Sequence, residues 1–593
     1  MSDVLFQIEN TQLQHLLSKV KTGELGLPDL QRPFVWQNNK VRDLLDSMMQ
    51  GYPIGFVMVW HTSNLNDYNT KNIGEDEKIY KTPREVIIDG QQRLTSLFSA
   101  IYGIKIFDKN YNQREIEISF NALTRKFEVP DASTRKNKEY VSKISDLFIA
   151  KENNRSSKFI DDYISNINND RQSKEVELLT DDEIETIKSN FNDLLNLQKY
   201  SLPSISINAE ASEEDVSQIF VRVNSGGQKL NENDFILTLL SVYAKELRDK
   251  IDNFCQESRI PKQGTAYNNL IEVEPSHIIR MSVGYGFKRA RLKYAYMLLR
   301  GKDLLTGKVT EEYRNENLNI LKNSLDTVLN LNNWHGFLNI LTETGYVSEK
   351  IVASKIAIVF SYTMYLIAKY DYKLDSVSLR KCISKWFFMT SLTAMYSNST
   401  ETTAEKIYND LKLIHSADEF IKYIDEQCAI RLTEDYFNVT LPKELETSAA
   451  ISPSWYAYLA SQNILHYPIL FGNVPVSNYL LPGSSGSKNA IDKHHIFPKH
   501  YLETIGISDD RFRNQIANFT YIDYINNIEI SDNEPIKYIS NMKERFGEEE
   551  FETYCKQHAL PQEFENMQYF DFLHERRKLM SQIIKKAYQR LCK

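Results

Sequence analysis

Cysteine is scarce here and widely scattered: Cys255, Cys382, Cys428, Cys555 and Cys592 form no C-x-x-C pair. That spacing excludes a disulfide framework and a cysteine-rich zinc knuckle, and it predicts buried free thiols. Long apolar runs are missing too. No window approaches the roughly 18 consecutive apolar residues of a membrane helix. The first residues, MSDVLFQIENTQLQHLLSKV, have no basic segment leading into an apolar core, so no secretory signal is expected. The chain reads as cytoplasmic, with no membrane partner. Positive charge is not in excess either: 71 Lys and Arg stand against 79 Asp and Glu, a net charge of −8. Enzymes of nucleic acids carry basic faces because Lys and Arg displace counterions from phosphates. Any such face here must be local.

What is present suits a soluble globular chain. Apolar residues make up 42% and charged residues 25% of 593, enough for about two to four domains. The expected fold class is α+β and multidomain. Residues 1–241 mix strand and helix patterns. GFVMVW (Gly55–Trp60) and REVIID (Arg84–Asp89) read as buried strands, and Val41, Leu44, Leu45 and Met48 repeat with helical spacing before Gly51 and Pro53. A polar, charged insertion occupies about 131–200, helical in its second half and open to a mobile excursion in its first. YSLPSISIN then returns as a strand. Residues 242–436 carry long amphipathic patterns such as RARLKYAYMLLRG and KIAIVFSYTMYLIAKY, best accounted for by a helical bundle. Residues 437–593 hold adjacent histidines and end in a basic helical tail.

The first informative stretch is VIIDGQQRLTSLFSAIYG. An apolar strand meets Asp89 and Gly90, then a helix with Leu94, Leu97, Phe98 and Ile101 on one face. Asp89 is the expected N-cap and Gly90 permits the tight turn. Free N–H groups and the positive end of the helix dipole would sit at Gln91, Gln92 and Arg93, an arrangement suited to phosphate. The plain alternative is a capped helix whose Arg93 pairs with a nearby carboxylate. Two further stretches, LPDLQRPFVWQ with Arg32 and IFVRVNSGG with Arg222 and Asn224, put polar forks and glycines at other element boundaries.

Taken in order, PDLQRPFVW, IIDGQQRL and IFVRVNSGG resemble the DGQQR family of ParB/sulfiredoxin-like domains, which form the N-terminal part of GmrSD-type modification-dependent restriction enzymes. The resemblance covers most of residues 1–245 apart from the insertion. It implies binding and hydrolysis of nucleoside triphosphates and participation in sensing DNA. By motif position Asp89, Gly90, Gln91, Gln92 and Arg93 would line the nucleotide site, with Arg32, Arg222 and Asn224 beside it.

The second stretch is NAIDKHHIFPKHY. Phosphodiester hydrolysis needs a base for water and a divalent ion for the charge on phosphate, and histidine supplies the base near neutral pH. Strand neighbours point to opposite faces, so two histidines serve one site only where the strand ends, which Pro498 fits. Downstream, Phe519–Ile522 reads as a returning strand, and Asp523 can cap a helix carrying Asn526 and Asn527. Strand, loop, strand, helix is the ββα-metal arrangement, and the pattern resembles the C-terminal HNH nuclease domain of the same family. That resemblance implies His495 as general base and His494 as metal ligand. Asn518 would brace the loop as part of the catalytic set, Asn527 would be the second ligand, and Asp492 a further ligand or a support. Asn526 is the alternative to Asn527 if the register slips by one, and His500 is peripheral.

Lys488, Lys493, Lys499, Arg511 and Arg513 surround the motif and suggest a local positive field. Phe34, Trp36, Tyr52 and Trp60 are close enough in sequence to form an aromatic pocket for a flipped base. The implied function is an endonuclease of antiphage defence acting on modified DNA, dependent on Mg²⁺ or Mn²⁺ and on a nucleoside triphosphate. A homo-oligomer is compatible with it. The competing readings are a triphosphate-switched DNA-binding regulator with an inactive nuclease fold, and an RNA-directed HNH nuclease.

Overall fold

The computed structural model describes residues 5–28, 36–61, 70–71, 85–107, 113–211, 215–216, 219, 223, 233, 236–237, 240, 244–303, 306–449, 451–481 and 491–593. The chain divides into two compact units, Met1–Arg248 and Asp249–Lys593.

In the first unit the elements run β1 (Phe6–Gln12), α1 (Leu13–Thr22), β2 (Leu25–Pro28), α2 (Asn38–Met49), β3 (Val57–His61), β4 (Thr70–Lys71), β5 (Glu85–Asp89) and α3 (Gln91–Tyr102). Helices α4 (Ile144–Glu152), α5 (Ser156–Ser173) and α6 (Asp181–Asn196) precede the last strand, β6 (Ser201–Ile207). The strands form one mixed sheet in the order β1-β6-β3-β5-β2-β4. The β6–β3 and β2–β5 pairs are parallel; β1–β6, β3–β5 and β2–β4 are antiparallel. Both faces of the central strands are covered. Val57, Val59 and Ile87 enter one core, whereas Met58, Trp60, Val86 and Ile88 enter another. This two-sided burial explains why VMVW and VII read as unbroken apolar runs rather than alternating ones.

Helices α1, α2 and α3 bury Leu16, Leu17, Leu44, Leu45, Leu94 and Leu97 in the larger core, at roughly 2 kcal/mol of transfer energy per side chain. The charged insertion shares that core throughout. Leu147 and Phe148 of α4, Ile160 and Tyr163 of α5, and Phe191 of α6 are all buried with it. Its first half is thus folded and is not an excursion. Helical spacing of a few large apolar residues fixes it, while its abundant charge lies outside. Thr180 and Glu183 close α6 with a reciprocal capping box.

The second unit is mostly helical. Helix α7 (Pro275–Phe287) is followed by α8 (Leu292–Leu299), α9 (Glu311–Val328), α10 (Lys355–Leu366), α11 (Ser376–Leu392) and α12 (Pro453–Ile464). Helix α10 is buried all round from Ala357 to Leu366. It is a central helix, enclosed by α7 and α11, so its pattern is uniformly apolar where the sequence suggested amphipathic. The chain then forms β7 (Ile491–His495), β8 (Phe519–Asp523), α13 (Tyr524–Ile530) and the long α14 (Tyr569–Cys592). Helix α14 packs on α11 and α12, which ties the residues on either side of 437 into one body. No helix among the described residues is long and apolar enough to cross a membrane.

Candidate functional site

Strands β7 and β8 pair antiparallel, with His494 opposite Thr520 and His495 opposite Phe519. Asp523 ends β8 and caps α13, its carboxylate accepting the Asn526 N–H at 2.9 Å. The cap aims the first turn of the helix back at the strand pair, and the consequence is specific. His494 Nδ1 lies 2.7 Å from Asn527 Oδ1. Asn526 faces elsewhere: its amide donates to the Phe471 carbonyl and Asp523, and its oxygen accepts from Arg545 at 2.9 Å. Asn526 therefore secures the helix, while Asn527 meets the histidine.

His495 is the last residue of β7. Its ring lies 4.5 Å from that of Phe519, tilted by 56°, and its Nε2 is 3.1 Å from Asn514 Oδ1. His494 is buried and His495 half-buried. Asn518 is fully buried and joins the two strand ends. Its oxygen accepts the Phe497 N–H at 2.9 Å, and its amide donates to the carbonyls of Phe497 and Arg513 at 3.0 and 3.2 Å. All of these partners are backbone, so the side chain braces the loop.

Beneath that loop lie two groups that sequence reasoning missed. The Arg576 guanidinium, fully buried, donates to the carbonyls of Ala517 and His558 at 2.6 and 3.2 Å. His558 Nε2 meets the Pro468 carbonyl at 2.9 Å and its Nδ1 the Thr520 hydroxyl at 3.0 Å. Burial pushes the His558 imidazole down to about 3, with the Arg576 charge adding to the effect. Nothing in the spacing of QHALPQEF marks His558 as internal. A lone histidine in a polar stretch reads as solvated, and Asn514 in RFRNQ is equally unmarked. His500 is exposed, 3.7 Å from Glu503.

The side chains of Asp492 and Lys493, and all of Lys488, lie outside what the structure describes. Among the described residues, no three His, Cys, Asp or Glu side chains gather into a metal cluster. An imidazole nitrogen and an amide oxygen arriving from two elements can both ligate a divalent cation, the oxygen favouring Mg²⁺ or Mn²⁺ and the imidazole a softer transition ion. Among the described residues the expected positive field is largely cancelled. Arg511 pairs with Asp509, Arg513 with Glu503 and Asp510, and Lys499 lies 3.8 Å from Asp510. The cause is the acidic SDD run just before the arginines.

The N-terminal turn differs from its expected form in one respect. The cap of α3 is Gly90, left-handed at φ 92°, and no side chain caps the helix. Asp89 instead faces Arg93 at 3.5 Å, and Arg93 Nη1 donates to the Ile54 carbonyl at 2.7 Å. A Cβ at Gly55 would come within 2.1 Å of that nitrogen, so only glycine leaves the guanidinium its place. Desolvation lowers the Arg93 pKa, and Asp89 opposes the shift. Gln91 Oε1 is buried without a hydrogen-bond partner among the described residues. Arg32, Arg222, Asn224 and Phe34 lie outside those residues. Of the other aromatics, Trp60 is core, Trp36 packs against the larger core and Tyr52 is exposed. These three do not line a common pocket, because strand alternation sends Trp60 to the opposite face of the sheet.

Residues 13–241 match the model of the family described as GmrSD restriction endonuclease, N-terminal domain. The resemblance carried by the three N-terminal motifs falls within that match. Similarity also extends through the second unit. An archaeal protein of Methanocaldococcus jannaschii, named uncharacterized protein MJ0686, is 24% identical over 567 residues, covering 90% of this chain and 87% of the relative.

Proposed function

We propose that this chain is an HNH-type DNA endonuclease of antiphage defence, dependent on a divalent metal and a nucleoside triphosphate and acting on modified DNA. The observation that carries the reading is His494 Nδ1 against Asn527 Oδ1 at 2.7 Å, beside a histidine at the end of the same strand. The match of residues 13–241 to a restriction endonuclease domain supports it independently.

An amide oxygen only accepts, so the His494 imidazole donates through Nδ1 in this arrangement. In the tautomer protonated at Nε2, His494 Nδ1 and Asn527 Oδ1 would offer lone pairs from β7 and α13, with Asp492 two residues before His494 on the same strand. A Mg²⁺ or Mn²⁺ ion held there supplies charge stabilisation to the scissile phosphate and the leaving oxygen. His495 accepts a proton from the attacking water, and Asn514 at its Nε2 orients the ring. Asn518 holds the Ile496–Phe497 peptide so that the strand ends with both histidines in place. In the N-terminal unit the Gly90 turn, Asp89, Gln91, Gln92 and Arg93 would hold the triphosphate, with Arg32, Arg222 and Asn224. Gln91 Oε1, buried without a hydrogen-bond partner among the described residues, accepts only, so it suits a donor on the nucleotide such as a ribose hydroxyl.

The test is cleavage of unmodified, methylated and glucosylated DNA with Mg²⁺ or Mn²⁺, with and without each triphosphate. Wild type is run beside His495→Ala and Arg93→Ala. Cutting of modified DNA alone, abolished by His495→Ala, is the expected result. Triphosphate hydrolysis with no DNA cut under any condition would replace the nuclease with a switched DNA-binding regulator. Cutting confined to RNA would make the enzyme a ribonuclease.

A further inference from the structure

The described cations beside the histidine motif are paired with carboxylates, and another segment carries more positive charge. Residues 288–302, KRARLKYAYMLLRGK, carry Lys288, Arg289, Arg291, Lys293, Arg300 and Lys302 and no acidic residue, in a chain of net charge −8. The stretch spans the turn between α7 and α8 and all of α8. The turn is held from within. One oxygen of the Glu405 carboxylate accepts the N–H groups of Ala290 and Arg291 at 2.6 and 3.1 Å, and the other accepts Arg289 Nη1 at 2.7 Å. Glu405 is buried, and these donors hold its pKa below the usual carboxylate range despite its desolvation.

Fixing the Arg291 backbone this way determines what the turn presents. Arg291 and Lys293 are exposed and make no ion pair among the described residues. Aromatic rings accompany the charges. The Arg289 guanidinium lies 5.4 Å from the Tyr294 ring, Arg300 5.6 Å from Tyr296, and Lys288 4.7 Å from Tyr285. Lys288 is also paired with Asp371 and Arg289 with Glu405, which leaves Arg291 and Lys293 to carry the exposed charge of the turn.

We propose that residues 288–302 form a docking surface for the phosphate backbone of double-stranded DNA, with Arg291 and Lys293 as its phosphate contacts. Charge complementarity selects the partner. A basic strip on an acidic protein, with Arg291 and Lys293 exposed and without an ion pair among the described residues, offers the counterion release that the carboxylate-paired arginines beside the histidine motif cannot. Backbone contacts of this kind place a duplex without reading its sequence. The proposal rests on the nuclease reading for its choice of DNA. It adds where the duplex is held while the strand pair cuts.

The experiment uses the full chain. Binding of a 30-base-pair duplex is followed by fluorescence anisotropy from 50 to 300 mM salt, for wild type, Arg291→Ala/Lys293→Ala and His495→Ala. Loss of two phosphate contacts reduces the slope of log K against log salt by about 2, which amounts to binding weaker by roughly 50–100-fold near 0.1 M salt. Both side chains are exposed and make no ion pair among the described residues, so Tm should be unchanged, and Arg291→Lys should keep the wild-type slope. Binding and slope identical to wild type in the double variant would overturn the surface while leaving the nuclease reading intact. Wild-type binding that never leads to cutting, with the slope still lost in the double variant, would sink the nuclease reading and keep the surface. Retention of duplex RNA but not DNA would overturn the choice of partner.

Discussion

The turn at Asp89–Arg93 and the strand pair at His494–Asn527 are both built from motifs conspicuous in the sequence, yet the structure spends their polar groups differently. Arg93 is committed to a backbone carbonyl and to Asp89 within its own turn. His494 meets a side chain on another element, and the backbone carbonyls around it are served by Asn518, Asn526 and Arg576. A side chain whose partners are all backbone is holding the fold. One facing a second polar side chain across two elements is available for chemistry. By that criterion the strand pair has the arrangement the proposed nuclease site requires, with a separate scaffold, whereas in the turn one arginine serves both ends.

The largest expected effect tests the working site. His495→Ala should slow single-turnover cleavage by about 10²–10⁴-fold, the usual contribution of a positioned base, with DNA binding and Tm unchanged. A smaller loss, or a loss of stability, would move His495 from site to scaffold. Asn518→Ala is the converse. It strands three backbone groups, the buried Phe497 N–H and carbonyl and the part-buried Arg513 carbonyl, so Tm should fall by the equivalent of about 2–4 kcal/mol. Activity would be lost only as the fold is lost. An Asn518→Ala protein of normal Tm and no activity would make the residue a participant in the reaction.

Next in size is the turn. Arg93→Ala should cost about 1–3 kcal/mol by leaving the Ile54 carbonyl unmet, together with triphosphate-dependent activity. Gly55→Ala should mimic it, since the added methyl displaces the guanidinium and φ at Gly55 is 91°. Thermal melts with and without triphosphate separate the two roles. Loss of the triphosphate response at unchanged Tm would show that the guanidinium has no structural duty and would erase the contrast with the strand pair.

How far these roles were legible follows from what each residue contacts. The core faces of α2 and α3 showed in the spacing of Leu44, Leu45, Leu94 and Leu97, because periodicity is a local property. So was the cap at Asp523, a short-range bond within one turn. The α3 cap was misread because Asp89 and Gly90 are both good caps, and the choice depends on Arg93 reaching Ile54, 39 residues earlier. The cancelled field near the histidines was written locally in SDDRFR, but charge runs do not say which neighbours pair. His558 and Arg576 were invisible because their partners, Pro468, Thr520 and Ala517, are brought to them only by tertiary packing.

The smallest effect belongs to His558 and reaches the working site through its scaffold. A carbonyl at Nε2 requires the proton there, so Nδ1 accepts from Thr520 and has no room for a second proton. The folded pKa, down to about 3, lies below the value near 6.5 of an unfolded histidine. Above pH 6.5 neither state binds the proton and the full stability is present. As pH falls from 6.5 towards 3 only the unfolded chain takes it up, and stability declines by about 1.4 kcal/mol per pH unit. At pH 5 that is about 2 kcal/mol. Thr520 stands opposite His494, so the strand that loosens first is the one that positions the histidine pair. Between pH 7 and 5, Tm of wild type should fall more steeply than Tm of His558→Gln, which has nothing to titrate. Equal slopes would place the acid sensitivity in some other group and leave the strand pair's scaffold insensitive to pH.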